Sequence, residues 1–351
     1  MDNALGFGIP SNPVLTLAGA INVVAYDENF NWVTTQSLSN ISITGNVVTN
    51  SVATGIRMEN VNSGRLSGNT VLNYALQPTD YVWYLAAGET ITQIETDLKQ
   101  PVLVVNSTGV TNANNTTTGT WVANVANADG SYRLAPGSIA SAYGTNLATA
   151  TLQAGVQPLP DSLAGVTVTV TDSAGVSRPA GIYYVSPSLV SYVVPAGTAP
   201  GVATVTIGKQ SSAALVSSVG PAIYAANGTG KGVAAATAVR VSANGTQVQV
   251  PVFQCGSTGC TSVPMSLGSA TDSLVVALYG TGIRGRSLLS NVVAEIGGVP
   301  GTIAYAGSET VYDGLDQVNV YVPTSLAGAG EVPIVLTVDG ITANVVTINI
   351  Q

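Results

Sequence analysis

The stretch APGSIASAYGTNL, residues 135–147, returns 136 residues later as ALYGTGIRG, residues 277–285. Both copies run from alternating apolar residues into Tyr-Gly-Thr and a Gly-containing bend, which is typical of a β-strand followed by a turn. The following segment also recurs, with insertions: GIYYVSPSLVSYVVPAGTAPGVATVTI (181–207) corresponds to TIAYAGSETVYDGLDQVNVYVPTSLAGAGEVPIVLTV (302–338). The strands GVATVTI and EVPIVLTV alternate strictly, as half-buried antiparallel strands do. The sequence therefore predicts two copies of one β-module, each a sandwich of about seven short strands, over residues 120–225 and 230–351.

The N-terminal part carries a shorter repeat. SITGNVVTN (42–50) recurs as RLSGNTVLN (65–73), and GIRMENVNSG (55–64) is echoed by PVLVVNSTGV (101–110). A short apolar strand followed by Gly-Asn every twenty-odd residues predicts right-handed parallel β-helix coils over residues 1–115, with Asn side chains forming a ladder along the stack. One helix, about residues 88–99, is predicted inside AAGETITQIETDLKQ. The expected fold class is all-β: a short right-handed parallel β-helix segment followed by two tandem immunoglobulin-like β-sandwiches.

Composition agrees with this fold and narrows the function. Of the 351 residues, 46% are hydrophobic and only 8% are charged, and the net charge is −8. Too few Glu, Lys and Arg are present for long helices, and Gly, Asn and Pro supply turns. The acidic balance and scattered basic residues argue against nucleic acid as a partner. No apolar run approaches the roughly 20 residues of a membrane helix, so we expect no membrane span.

The two cysteines lie close together in FQCGSTGC, as Cys255 and Cys260. Gly256 and Gly259 between them permit a tight turn, so the sequence favours a disulfide over free thiols. A zinc site would need further Cys or His ligands, and the chain has neither a third Cys nor any His. A disulfide indicates an oxidising location, extracellular or periplasmic. MDNALGFGIP lacks the features of a signal peptide, so we expect an export signal to have been removed or to lie upstream.

Two resemblances follow from these motifs. LAPGSIASAYGTNLA resembles the opening of an IPT/TIG-type immunoglobulin-like domain, and Val190, Val194, Pro195 and Gly201 match the last strands of that domain. Residues 120–351 also resemble an uncharacterised C-terminal domain family of secreted proteins from soil acidobacteria. The matching stretches are GSIASAYGTNLA, YYVSPSLVSYVVPAGTAPG, GKGVAAA, YGTGIRG and GLDQVNVYVP. The N-terminal repeats resemble the β-helix of pectate-lyase-like, carbohydrate-active proteins. These resemblances imply folds and bring no activity with them.

Catalytic motifs are missing from the sequence. The chain has no His, which removes the commonest general base, and no nucleophile elbow or P-loop motif. Glu59, Arg57 and Arg65 form the only charged cluster on adjacent coils, and we interpret them as charges on a solvated face rather than as a lyase site. We expect no enzyme activity, no catalytic residues and no cofactor.

For each of three further sequence features, one interpretation is a binding site and the other is a structural role. Asp313 and Asp316, beside Asn319, are a weak calcium candidate or turn-forming residues. Arg284 and Arg286 either hold an anion or are solvated arginines in an inter-strand turn. We favour the second interpretation. The loop NGTGKG (227–232) lacks P-loop spacing and is interpreted as the connection between the sandwiches.

The tyrosines of the two modules form a group with the same ambiguity. They are expected at equivalent places, where they stack on sugars or fill core and inter-sheet edges. Packing is the favoured interpretation, with Tyr183, Tyr184 and Tyr312 as the sugar-contact candidates. The full set is Tyr183, Tyr184, Tyr192, Tyr305, Tyr312 and Tyr321.

The predicted function is that of a secreted, non-enzymatic structural or adhesive surface protein. Strand patterns run to VTINIQ at residue 351, and an open terminal strand can pair with another chain, giving a filament or surface assembly. The expected partners are further copies, other surface proteins or a polysaccharide. The alternative is a carbohydrate-binding accessory region of a truncated polysaccharide-active enzyme.

Overall fold

The computed structural model describes residues 21–23, 35–49, 54–72, 101–118, 121–124 and 133–351. These residues form β-strands, turns and two 3₁₀ turns, Leu289–Asn291 and Thr324–Leu326, with no α-helix among them. The chain is all-β, as composition predicts. The helix predicted at residues 88–99 lies outside the described residues. The chain divides into two compact units, Met1–Val122 with Lys209–Ala214 and Ala123–Gly208 with Leu215–Gln351.

In its described residues, the N-terminal unit contains three parallel sheets of three strands each. The strands are β1 (Ile21–Val23), β2 (Leu38–Thr44), β3 (Val47–Thr49), β4 (Ile56–Glu59), β5 (Val61–Ser67), β6 (Thr70–Leu72), β7 (Val102–Val105), β8 (Thr108–Ala113) and β9 (Thr116–Thr118), and β10 (Trp121–Asn124) follows. The sheet orders are β1-β4-β7, β2-β5-β8 and β3-β6-β9. Ser42 pairs with Arg65 and Ile56 pairs with Val102, so each sequence repeat sets a pairing register.

Asparagine ladders run across these sheets, as predicted. Asn46 Nδ2 donates to Asn69 Oδ1 at 3.0 Å, and Asn69 Nδ2 donates to Asn115 Oδ1 at 2.8 Å. Backbone N–H groups of Asn46 and Asn69 donate to the same amide oxygens at 3.0 Å. A second pair joins Asn106 Nδ2 to Asn60 Oδ1 at 2.6 Å. Asn69 is fully buried, and the apolar core beside the ladder contains Ile43, Val48, Ile56, Met58, Val61, Leu66 and Val71.

The C-terminal unit contains two β-modules. We call residues 133–208 with 215–216 the first module and residues 222–351 the second module. The first contains β11 (Arg133–Leu134), β12 (Ile139–Tyr143), β13 (Leu152–Gln153), β14 (Ser162–Leu163), β15 (Val166–Thr171), β16 (Ser177–Pro179), β17 (Ile182–Val185), β18 (Leu189–Val193), β19 (Gly201–Ile207) and the end of β20 (Gln210–Val216). The second contains β21 (Ala222–Ile223), β22 (Ala236–Val241), β23 (Gln247–Val250), β24 (Phe253–Gly256), β25 (Gly259–Ser262), β26 (Ser273–Thr281), β27 (Val292–Ile296), β28 (Val299–Ser308), β29 (Asp316–Tyr321), β30 (Gly330–Val338), β31 (Ile341–Thr342) and β32 (Val346–Ile350).

The two modules share one pairing scheme. In the first, β18 lies between β12 and β17, and β15 pairs with β19. In the second, β29 lies between β26 and β28, and β27 pairs with β30. Both hairpins shift register at the same point, between Ile182 and Tyr184 and between Ile303 and Tyr305. The long-range repeat seen in the sequence is therefore a repeat of strand pairing.

The second module folds its strands around one core. β28 pairs with β27 through residues 299–301 and with β29 through residues 302–308, so it belongs to both halves of the sheet. Alternate residues of EVPIVLTV are buried, as the strict alternation predicts. Both halves contribute to one hydrophobic cluster, which includes Val276, Leu278, Val318, Val320, Ala294, Ile296, Ile334, Leu336 and Ile348.

In the first module, Asp172 organises the turn that follows β15. Its carboxylate accepts backbone hydrogen bonds from Ala174, Val176 and Ala199 at 3.0 Å, and one from Arg178 Nη1 at 2.6 Å. The backbone bonds from Ala199 and Val176 are the main reason that the pKa of Asp172 falls to about 2. The ionised carboxylate is therefore the form that holds this turn.

The Gly-rich loop 227–232 is not the connection between the modules, so that interpretation was wrong. β21 already pairs with β26 before this loop begins, through Ala222 and Thr281. The loop is held inside the second module, where Asn344 Nδ2 donates to Gly230 O at 2.7 Å. The glycines serve a turn within one module.

The predicted disulfide is present. Cys255 and Cys260 face each other across the β24–β25 hairpin and are bonded. The described strands and turns include no helix that is long and apolar enough to cross a membrane.

Candidate functional site: the module junction

A buried threonine joins the two modules at the bend after β26. Thr281 is the threonine of the repeated Tyr-Gly-Thr motif, and it is fully buried. Its Oγ1 accepts the Ile139 N–H of the first module at 2.7 Å and donates to Gly314 O at 2.9 Å. One hydroxyl therefore satisfies a backbone donor of one module and a backbone acceptor of the other.

The loop between β28 and β29 (residues 309–315) packs against the first module at Gly314. This residue has φ +79°, a left-handed conformation that favours glycine. A Cβ there would lie 2.6 Å from Ile139 Cγ1 and 3.0 Å from Val193 Cγ2. Glycine is thus required both by the backbone conformation and by the closeness of the first module.

Asp313 extends the contact with the first module. Its Oδ2 accepts the Leu159 N–H at 3.0 Å, and its backbone oxygen accepts the Tyr183 hydroxyl at 2.6 Å. Leu159 precedes β14 and Tyr183 lies in β17, so one residue of the second module binds two separate segments of the first. The sugar-contact candidate Tyr183 is consequently a junction residue.

Asp316 fixes the bend that presents Thr281. Its buried carboxylate accepts hydrogen bonds from Ile283 N at 2.7 Å, Arg284 N at 3.1 Å and Arg284 Nε at 2.7 Å. Arg284 Nη2 also donates to Leu315 O at 2.7 Å. Burial raises the pKa of Asp316 above its usual value, while Arg284 and the two backbone donors oppose that rise.

The two carboxylates of the calcium candidate serve different partners. Asp313 binds the first module, and Asp316 binds the bend of its own module. Within the described ranges, no group of three or more His, Cys, Asp or Glu side chains is arranged to hold a metal ion. The donors and acceptors of this arrangement bind one another, so it joins the two modules of the chain.

The arginines of GTGIRGRS are half-buried and hydrogen-bonded rather than freely solvated, which corrects our interpretation. Arg284 is ion-paired with Asp316 at 2.7 Å, and only 26% of its side chain is exposed. Arg286 Nε donates to Ala306 O at 2.6 Å. The segment is an inter-strand turn, as expected, but both side chains hold it in place.

The charged cluster of the N-terminal unit also differs from expectation. Arg57 and Glu59 are both buried rather than on a solvated face. Arg57 Nη2 binds Glu59 Oε2 at 2.7 Å, because residues two apart on a strand share one face. Arg65 is exposed, and its Nε donates to Ser67 Oγ at 3.0 Å.

The tyrosines have several different environments. Tyr192 is fully buried in the first module, and Tyr184 is half-buried. Tyr184 and Tyr305 occupy equivalent places after the two register shifts. Tyr192, however, corresponds to Val320, so the expected equivalence of all the tyrosines was wrong. Tyr312 is 54% exposed at the tip of the junction loop.

The C-terminal strand is not an open edge, contrary to our expectation. β32 runs to Ile350, and β30 pairs along one side of it. On its other side it forms parallel bridges with Val233 and Met265. Another chain therefore finds no free edge on this strand.

The open edge of the second module is β23 instead. In the part of the chain that the structure describes, β23 pairs only with β22. Its sequence, QVQV, carries no charge, and Gln247, Val248 and Gln249 are exposed. Natural edge strands are usually protected by charges, prolines or bulges, and Gln247–Val250 contains neither a charge nor a proline.

The backbone groups of β23 have a defined direction. Ser242 N donates to Thr246 O where the β22–β23 hairpin closes. Because bonded and non-bonded pairs alternate in an antiparallel ladder, the next bonded pair is Arg240 with Val248. The N–H and C=O groups of Gln247 and Gln249 therefore point to the open side.

No protein-family model matches the chain, and no curated protein matches it. The functional assignment accordingly depends on the geometry of the junction and of β23. Thr281 and β23 were not singled out in the sequence. The repeated Tyr-Gly-Thr motif was the sequence feature that could have identified Thr281. The uncharged alternation in QVQV was the feature that could have identified β23.

Proposed function

We propose that the chain is an exported, non-enzymatic structural or adhesive protein of the cell exterior. Further copies of the chain are its principal partner, and the contact is strand pairing at β23. The two modules act as one stiff block, because a buried hydrogen bond at Thr281 and a second hydrogen bond at Asp313 join them. Stiff blocks with an open edge are suited to a repeating assembly.

The architecture proposed with this function is a parallel β-helix followed by two immunoglobulin-like sandwiches. Parallel registers of 23 and 46 residues and the asparagine ladder support the β-helix. The shared pairing scheme of the two modules supports the sandwiches and the resemblance to IPT/TIG-type domains. Both parts bury their apolar residues within stacked or facing sheets.

Export is supported by the Cys255–Cys260 disulfide, because disulfides persist in oxidising compartments. The non-enzymatic assignment is supported by the sequence, which contains no His. It is further supported by the pairing of Glu59 with Arg57, which occupies the one carboxylate of the predicted charged cluster.

The observation that carries the proposal is the open, uncharged edge of β23. A second copy that adds a strand there satisfies the outward N–H and C=O groups of Gln247 and Gln249. Each exposed backbone group exchanges its hydrogen bond with water for one with the neighbouring chain, and Val248, 43% exposed, becomes covered.

Light scattering and electron microscopy over a range of concentrations test this proposal. The wild-type chain is expected to form particles larger than a monomer as concentration rises. Gln247→Pro removes an outward N–H and is expected to keep the chain monomeric, because proline cannot donate to a ladder. Gln247→Ala, the matched control, keeps that N–H and is expected to assemble. A wild-type chain that stays monomeric at the highest concentration would overturn the proposal.

A further inference from the structure

The outer face of the second module forms a flat, polar surface with aromatic rings. Four strands, β22, β26, β29 and β28, place successive side chains opposite one another in register. Val275 pairs with Tyr321, and Ala277 pairs with Asn319. The residues that lie between these positions on β26 and β29 are buried in the core. The other members of this outer face are Thr237, Val239, Tyr279, Thr302, Tyr305, Gly307 and Gln317.

Tyr305 lies along this surface rather than standing away from it. Its hydroxyl donates to Ser308 O at 2.6 Å, which holds the ring along its own strand. A Cβ at Gly307 would lie only 3.0 Å from that hydroxyl and 3.3 Å from the carbon that bears it. Gly307 is buried under the ring, while 38% of Tyr305 is exposed. The ring is therefore partly exposed and is held in place by its hydroxyl.

A second ring and a pair of amides lie beside the first. Tyr321 is 42% exposed and is two residues beyond Asn319, the partner of Tyr305. Such diagonal neighbours on adjacent strands are about 7–8 Å apart. Gln317 Nε2 donates to Asn319 Oδ1 at 2.6 Å, which orients both amides on the same face. The rings of Tyr305 and Tyr321 thus lie beside the oriented amides of Gln317 and Asn319 on one face.

The charge of the face restricts its ligand. None of its members is Asp, Glu, Lys or Arg, although the chain as a whole carries −8. Nucleic acids and acidic polymers depend on basic side chains for binding, so this face suits neither. A neutral sugar ring fits: its C–H face stacks on the electron-rich face of an aromatic ring, and its hydroxyls bind the amides.

The first module provides an internal comparison. The positions equivalent to Ala277, Asn319 and Tyr321 hold Ser141, Ser191 and Val193. Ser141 is buried, and its hydroxyl lies 2.8 Å from that of Ser191. In the first module these positions are therefore buried or half-buried and carry no ring, whereas the second module has an amide at Asn319 and an exposed tyrosine at Tyr321.

We propose that the outer face of β22, β26, β29 and β28 binds a neutral polysaccharide, with Tyr305 and Tyr321 as stacking platforms and Gln317 and Asn319 as hydrogen-bonding groups. This site goes beyond self-association, which uses the edge of β23. It also differs from the tyrosines singled out in the sequence. Tyr183 belongs to the junction, and Tyr312 lies in the junction loop.

Isothermal titration calorimetry with defined oligosaccharides tests the site. The neutral probes are cellohexaose, laminarihexaose and mannohexaose, and the acidic probe is hexagalacturonate. At least one neutral probe is expected to bind, and the acidic probe is not. Tyr305→Ala and Tyr321→Ala are each expected to weaken binding by about tenfold or more, as loss of a central aromatic contact does. Tyr305→Phe keeps the ring and is expected to retain binding.

Tyr312→Ala is the matched control, since it removes an exposed tyrosine outside the face and is expected to leave binding unchanged. Melting temperatures verify that each variant is folded. The proposal is overturned if no neutral probe binds at millimolar concentration, if the acidic probe binds better, or if Tyr312→Ala weakens binding as much as the face variants. Repeating the titration with Gln247→Pro separates this result from assembly, because a monomeric chain keeps the whole face.

Discussion

Replacing Thr281 by valine tests the junction with the least change of shape. Valine is close in shape to threonine and replaces the hydroxyl with a methyl group, which neither donates nor accepts a hydrogen bond. In the native chain that hydroxyl accepts the Ile139 N–H at 2.7 Å and donates to Gly314 O at 2.9 Å. Thr281 is fully buried, so water cannot replace either bond. The variant leaves one backbone donor and one backbone acceptor without partners.

The magnitude follows from these two groups. A buried polar group left unsatisfied costs about 1–3 kcal/mol, so the loss of both bonds in Thr281→Val is expected to lower the free energy of unfolding by about 2–6 kcal/mol. The matched control is Thr342→Val, whose exposed hydroxyl lies 3.2 Å from that of Thr337. An exposed substitution of that kind is expected to change stability by less than about 0.5 kcal/mol.

Urea denaturation followed by circular dichroism measures both variants, and hydrogen exchange measures the Ile139 amide. We expect the transition of Thr281→Val to move to lower urea and the Ile139 amide to exchange faster. Equal stability of Thr281→Val and Thr342→Val, with unchanged exchange at Ile139, would refute the argument that this hydroxyl joins the modules.

Three further predictions concern single contacts. Asp172→Asn is expected to destabilise the chain above about pH 4 and to have no effect below about pH 2. The reason is that the pKa of Asp172 is about 2 in the folded chain and 3.8 in the unfolded chain. Thermal melts of both proteins across that pH range check this prediction. Asn69→Ala breaks the asparagine ladder and is expected to lower the free energy of unfolding by about 2–4 kcal/mol, whereas the exposed Asn62→Ala leaves it unchanged in the same denaturation assay. Gly314→Ala and Gly328→Ala impose the same backbone strain, since their φ angles are +79° and +77°, but only Gly314 has atoms within 4 Å of its added methyl group. Gly314→Ala is therefore expected to be the less stable by about 1–3 kcal/mol, and equal melting temperatures would contradict the packing at the junction.

Local sequence patterns predicted the strands well, because alternation and short repeats act between neighbouring residues. The 23-residue repeat matches the pairing register of Ser42 with Arg65, and the asparagines of the Gly-Asn turns form the ladder at Asn69. The disulfide was equally local, since Cys255 and Cys260 are five residues apart. The internal repeat around Tyr-Gly-Thr predicted the shared pairing scheme of the modules.

Contacts between distant segments could not be predicted in the same way. Thr281 binds Ile139 across 142 residues, and no sequence pattern couples those two positions. The burial of Arg57 and Glu59 was missed because two opposite charges on one strand face can satisfy each other away from water. The closure of β32 by Val233 and Met265 depends on where two turns fold back.

The candidate sites changed most between sequence and structure. The tyrosines allowed a sugar-contact or a packing interpretation, with packing favoured, and the sequence did not show which rings share one face. Tyr305 lies along the outer face because Gly307, two residues later, leaves room for its ring. Tyr183 became a junction residue because the loop containing Asp313 reaches it. Each outcome depends on a neighbour from another strand or loop.

The most direct measurement of the central claim is hydrogen exchange at β23 as a function of protein concentration. If copies assemble by strand pairing, the outward amides of Gln247 and Gln249 lie inside an intermolecular ladder at high concentration. Mass spectrometry of the peptide that contains them is then expected to show exchange slowing as concentration rises, while the Gln247→Pro variant shows no such change at Gln249. Exchange that is independent of concentration in the wild-type chain would contradict assembly through this edge.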